Sequence, residues 1–171
     1  MLIESNTQKF LSVIFRFPTK GFTVREIARL IKVSPPTAAS IAKTLEDKDL
    51  IKVKKERAQH KIFGNLENEN FRELKRIYNI FYLSGLKDSL VKELKPNTIV
   101  VFGSYSKGED TEDSDIDIFV DSVIKKEINL EKFEKQLDRH VHLQVNEIKK
   151  VPDDLRKNII NGIILYGFLE C

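Results

Sequence analysis

Two carboxylates at alternate positions, Asp115 and Asp117 in "SDIDIFV", follow a Gly103-Ser104 pair by about a dozen residues. On a strand both aspartates project to one face, with Cβ atoms ~7 Å apart, while Ile116 and Ile118 enter a core. Carboxylates so placed can converge on divalent cations, and two-metal phosphoryl-transfer sites hold their ions ~3.5–4 Å apart. Without a metal or a base beside them, the two acids would repel and one would tend to keep its proton. Upstream, Gly103 permits close backbone approach, and Ser104 begins a turn whose N–H groups can bind phosphate oxygens. A triphosphate bridged by magnesium fits between that turn and the acids.

Two other phosphate or metal motifs fail. Gly103 through Gly108 fills the first six places of a Walker A loop, but Glu109 and Asp110 follow where Lys and Ser/Thr are required. Asp113, Asp115 and Asp117 suggest an EF-hand, yet Ile118 occupies the glycine position and Ile124 the closing glutamate.

The elements that must position these residues read as strand (98–103), turn, strand (115–121), helix (130–139), strand (141–148) and helix (153–161), then the apolar "GIILYGF". That order predicts an α/β or α+β domain with one mixed central sheet over 96–171. Ahead of it, 67–83 and about 86–95 read as two helices broken at Gly85, forming linker helices over 67–95.

Residues 1–66 read as a separate domain. A buried helix ends at Pro18. A second helix opens with Thr23 and Glu26 as a capping box. A third starts at Ser34-Pro35, with Ala38, Ile41, Ala42 and Leu45 as its inner stripe. "LIKVKK" and "HKIFGNL" then alternate as a hairpin around "ERAQ".

Charge divides the same way. Of 171 residues carrying +3 overall, residues 1–66 hold 13 Lys+Arg against 6 Asp+Glu, a net +7, and the remainder is −4. Nucleic acid is the natural anion for the first module. The only cysteine, Cys171, excludes an internal disulfide framework and fits a reducing cytoplasm. The amino-terminal "MLIESNTQKF" lacks the pattern of a secretory signal, and no apolar run approaches the ~20 residues that span a bilayer, so a cytoplasmic protein without membrane contact is expected.

Residues 23–64 resemble the winged helix-turn-helix domains of MarR-type and similar prokaryotic regulators. "SPPTAASIAKTLEDKDLI" matches their recognition helix, its closing leucine and the entry to the wing. Asp49 departs from that pattern, standing where glycine is common. The resemblance implies a helix in the major groove, with Thr37, Ser40 and Lys43 outward toward bases or nearby phosphates. The wing offers Lys52, Lys54, Lys55, Arg57 and Lys61 to the DNA backbone. Regulators of this kind often bind as dimers, so a homodimer is a further expectation. A helix-turn-helix also serves as a packing or protein-docking unit.

"FGSYSKGEDTEDSDIDIFV" is similar to the signature of the DNA polymerase beta nucleotidyltransferase superfamily, nearest its minimal members, including antitoxin-like ones paired with HEPN-type toxins. The likeness covers roughly 97–168. It implies metal-binding roles for Asp115 and Asp117 toward Mg²⁺ or Mn²⁺. It also implies phosphate binding by Gly103, Ser104 and Lys107, a nucleoside triphosphate donor, and a toxin-like partner protein.

Such enzymes usually carry a third carboxylate on a later strand, and here His142 takes that place in "RHVHLQVNEI". Three readings follow. His142 binds a softer metal such as Mn²⁺ or Zn²⁺ or acts as general base. Alternatively Glu147, which falls on the opposite face from Gln144, supplies the acid through a bulge. Or the site binds nucleotide and metal without turnover. His140 needs no chemistry on a polar strand face. Function then divides between a nucleotidyltransferase with its own DNA-binding domain and a nucleotide-binding transcriptional regulator or antitoxin.

Overall fold

A computed structural model describes residues 5–169. Cys171 and the first four residues of the amino-terminal reading lie outside the described residues. The chain divides into two compact units at Lys75/Arg76, within one helix. Among the described residues, no helix is long and apolar enough to cross a membrane.

The first unit runs α1 (Asn6–Arg16), α2 (Val24–Ile31), α3 (Pro35–Asp47), β1 (Ile51–Glu56), β2 (Gln59–Gly64) and the start of α4 (Glu69–Tyr82). Local chemistry sets its helix starts. Ser5 and Gln8 form one capping box and Thr23 and Glu26 another, while Ser34 accepts from the Thr37 amide ahead of Pro35. Their apolar faces meet in a core of Phe10, Ile14, Ile27, Ala38, Leu45, Ile51 and Ile62. The ring of Phe71 on α4 closes against Phe15, centroids 5.2 Å apart.

Asp49 adopts the left-handed conformation, φ +55°. Without glycine there, compensation comes from downstream: Asn65 donates to the Asp49 carbonyl at 2.9 Å, and Asn68 to its carboxylate at 3.0 Å. Antiparallel β1 and β2 pair from Ile51↔Gly64 to Glu56↔Gln59, which leaves Arg57 and Ala58 at the tip.

The α2 capping box yields a first expected outcome. The Thr23 amide, then its hydroxyl, holds the Glu26 carboxyl below the ordinary carboxylate range. A depressed folded-state pKa adds stability above that range, and the contribution is lost as pH falls through it. Thr23→Ala removes the hydroxyl that accepts from the Glu26 amide and donates to its carboxylate, and should cost about 1 kcal/mol near neutral pH, read as a lower melting temperature. The deficit should shrink in acid.

The second unit continues with α5 (Ser84–Leu94), β3 (Thr98–Phe102), α6 (Gly103–Lys107), β4 (Ile116–Asp121), α7 (Glu131–Leu137), β5 (Val141–Asn146), a short 3-10 turn at Ile148–Lys150, α8 (Asp153–Ile160) and β6 (Ile163–Gly167). The sheet order is β5-β4-β3-β6, with β4 and β5 parallel and the other pairs antiparallel. The α7 crossover supplies the parallel step. All five residues of β3 are buried, because helices cover both faces of the sheet.

Strand alternation divides the core. Ile99, Val101, Ile116, Ile118 and Val120 face Leu86, Leu90 and Leu94 of α5, together with Leu137. Val100, Phe102 and Phe119 face Ile148, Val151 and Ile159. The architecture is α+β. The segment 67–95 is not a spacer, since the three α5 leucines are core residues of the second unit and α4 runs through the division.

Candidate active site

The site forms where β3 ends. Gly103 leaves Phe102 at φ +71°, and Gly108 closes the α6 turn at φ +70°, its N–H donating to the Ser104 carbonyl. Ser106 donates from its hydroxyl to the Gly103 carbonyl at 2.8 Å. Ser104 is half-buried and Lys107 exposed. A second small turn, with the Thr111 amide donating to the Ser114 hydroxyl at 3.0 Å, delivers the chain to β4.

Asp115 is exposed and stands one residue before β4. Asp117 lies on the strand, opposite Phe102 in one register and His142 in the other. Its Oδ1 is 3.3 Å from His142 Nδ1. Its Oδ2 lies only 2.5 Å from where a Cβ on residue 103 would stand. One carboxylate thus spans from the β5 imidazole to the glycine that opens the turn. Both the space and the positive φ require glycine there. Gly103→Ala should displace the Asp117 carboxylate and strain the backbone, at a cost of about 1–3 kcal/mol read as a lower melting temperature.

Asp115 also lines a cleft of about 470 Å³ with Glu112, Asp113, Glu134, Arg139 and His140. His140 there pairs with Glu134 at 2.6 Å, and Glu134 also accepts from the Val141 amide at 2.9 Å. That contact gives His140 a structural task at the start of β5. Glu147 falls beyond the end of β5 and pairs with Lys150. Among the described residues, no three or more His, Cys, Asp or Glu side chains are gathered as a metal cluster. The structure therefore unites Gly103, Asp117 and His142, while Asp115, two residues before Asp117, lines the cleft with His140.

Sequence reading misses Asn79 and Asp110. The Asn79 amide donates to the Tyr105 carbonyl at 2.9 Å and to Asp110 Oδ1 at 2.8 Å. No local signal marks them: the buried face of α4 that carries Asn79 also carries Lys75, while the apolar Leu74, Ile77 and Phe81 are exposed.

In the first unit Thr37, Ser40 and Lys43 are exposed on α3, and Lys54, Lys55 and Arg57 are exposed on the hairpin. Lys54 lies over the Phe63 ring, 5.7 Å from its centroid. Lys61 is engaged elsewhere, 3.5 Å from both Glu26 and the Gly21 carbonyl. Lys52 pairs with Glu67, holding that carboxyl below its ordinary range.

Comparison with known proteins gives no matching curated relative. One family model does match, over residues 83–166, the span from the last residue before α5 into β6. The glycine-opened turn and the aspartate-bearing strand both lie inside that match, which is to the family described as the nucleotidyltransferase domain.

Proposed function

We propose that the chain is a metal-dependent nucleotidyltransferase that carries its own DNA-binding unit. It moves a nucleotidyl group from a nucleoside triphosphate to a hydroxyl of a protein, RNA or small-molecule acceptor. The observation that carries this reading is the Asp117 carboxylate held between His142 Nδ1 and the Cβ-less Gly103.

Two aspartate carboxylates are oxygen donors of the kind Mg²⁺ and Mn²⁺ take. Asp115 and Asp117 would hold Mg²⁺ or Mn²⁺, which takes its remaining ligands from phosphates and water. When bound, it supplies neutralisation of phosphate charge. The protein's own residues do the rest. Gly103 makes room for the Asp117 carboxylate beside the turn, and Ser104 and the turn amides bind phosphate oxygens. Lys107 adds a cation at the far end of the turn.

In the tautomer with Nδ1 protonated, His142 donates to Asp117 and leaves Nε2 to take the acceptor hydroxyl proton. The acceptor oxygen bonds to the α-phosphorus, the bond to the pyrophosphate oxygen breaks, and pyrophosphate leaves. Positioned general bases contribute ~10²–10⁴-fold, so His142→Ala should lower pyrophosphate release by about 10²-fold. His142→Asp, which restores the carboxylate implied by the resemblance, should recover Mg²⁺-dependent release.

Pyrophosphate release from triphosphates, with the protein alone and with candidate acceptors, tests the proposal. A second reading is favoured by His142 itself: a nucleotide-binding transcriptional regulator or antitoxin that engages a toxin-like partner. Wild-type protein that binds DNA and nucleotide but never releases pyrophosphate would select it. For the first unit, exposed Thr37, Ser40 and Lys43 on one helix and cations on an adjacent hairpin support DNA contact, with a homodimer on paired half-sites.

A further inference from the structure

The turn that carries Gly103 and Ser104 is fixed by more than its own hydrogen bonds. Asn79 is 3% exposed and Asp110 is 1% exposed. The two stand 31 residues apart in sequence. Asn79 spends both hydrogens of one amide on this loop, one on the Tyr105 carbonyl inside α6 and one on the Asp110 carboxylate just past it. A buried carboxylate is stable only where donors meet it, and a buried amide only where its hydrogens are used. The contact therefore has one low-energy geometry, and it sets the position of the turn relative to α4.

We infer that Asn79 is a positioning residue for the phosphate-binding turn, an inference that rests on the nucleotide reading above. Its helix begins at Glu69 in the first unit, and Asn79 precedes the segment matched by the family model, 83–166. The domain thus takes one support of its nucleotide site from outside its own family boundary. Asn79 touches no reacting atom. It acts by holding Tyr105, and through it the preceding Ser104 and Gly103, against Asp117.

The test uses full-length protein and a fluorescent non-hydrolysable ATP analogue with Mg²⁺. Asn79→Ala should raise the dissociation constant about 10–100-fold, the range seen when a supporting group behind a binding site is removed. It should raise KM for triphosphate more than it lowers kcat, because the turn binds phosphate rather than reacting. A purely structural residue would lower the melting temperature and leave the analogue's affinity unchanged, and that result overturns the inference. Wild-type protein that binds no analogue overturns the nucleotide reading as well, so the two failures are distinct. If Asn79→Ala does not fold, hydrogen exchange on the wild type decides. Adding analogue should protect both 103–110 and the α4 segment 76–82, whereas protection confined to 103–110 contradicts the inference.

Discussion

Asp117→Asn should reduce pyrophosphate release by about 10³-fold while leaving the fold intact. Asparagine keeps the size and one carbonyl acceptor, so the contact to His142 Nδ1, 3.3 Å in the wild type, retains a partner. What disappears is the negative charge. In the proposed mechanism that charge would offset the divalent ion and hold the imidazole in one tautomer, and removal of a single preorganised electrostatic partner costs ~10²–10³-fold. Losing a ligand together with an orienting group exceeds that lower bound.

Asp115→Asn should show nearly the same kinetic loss for a different reason. Asp115 is exposed and lies outside the strand, so its replacement disturbs no packing and leaves the melting temperature unchanged. Equal kinetic losses from a half-buried and an exposed carboxylate would identify charge at the site, rather than folding, as the common cause. Unequal losses, with Asp115→Asn near wild type, would assign the ion to Asp117 alone.

The second large effect concerns DNA. Replacing Lys54, Lys55 and Arg57 together by Ala should lower the slope of log affinity against log salt by ~2.7, at ~0.9 for each phosphate no longer neutralised. Fluorescence anisotropy on a duplex across a salt series reads this directly. The structure supplies an internal comparison. Lys61 lies within 3.5 Å of Glu26 and Gly21, and Lys52 is paired with Glu67, so each is held by the protein itself. Their replacement should change the slope by less per residue, since a cation already neutralised displaces fewer counterions. Affinity insensitive to salt would instead point to a protein-docking role for the unit.

What is legible in the sequence follows the range of the interaction. Thr23 with Glu26, and Ser34 with Pro35, act over three residues or fewer, so composition alone marks those helix starts. The alternation of Asp115, Ile116, Asp117 and Ile118 is local too, and it separates buried isoleucines from polar neighbours. The placing of His142 beside Asp117 needs only a parallel register between two readable strands.

Long-range polar contacts are not legible. Nothing local ties Asn79 to Asp110, or Lys61 to Glu26 across 35 residues. Asp49 looks like a flaw in the helix end, because the asparagines that satisfy it lie 16 and 19 residues later. The α5 leucines read as part of a linker because helical spacing reports an apolar face but not which unit covers it.

Calorimetric titration of full-length protein with ATP, in the presence and absence of Mg²⁺ or Mn²⁺, tests the central claim most directly. The predicted result is saturable binding that requires the divalent ion and vanishes when Asp115 and Asp117 are both replaced by asparagine. Binding that persists without the ion, or survives in that double variant, would contradict it.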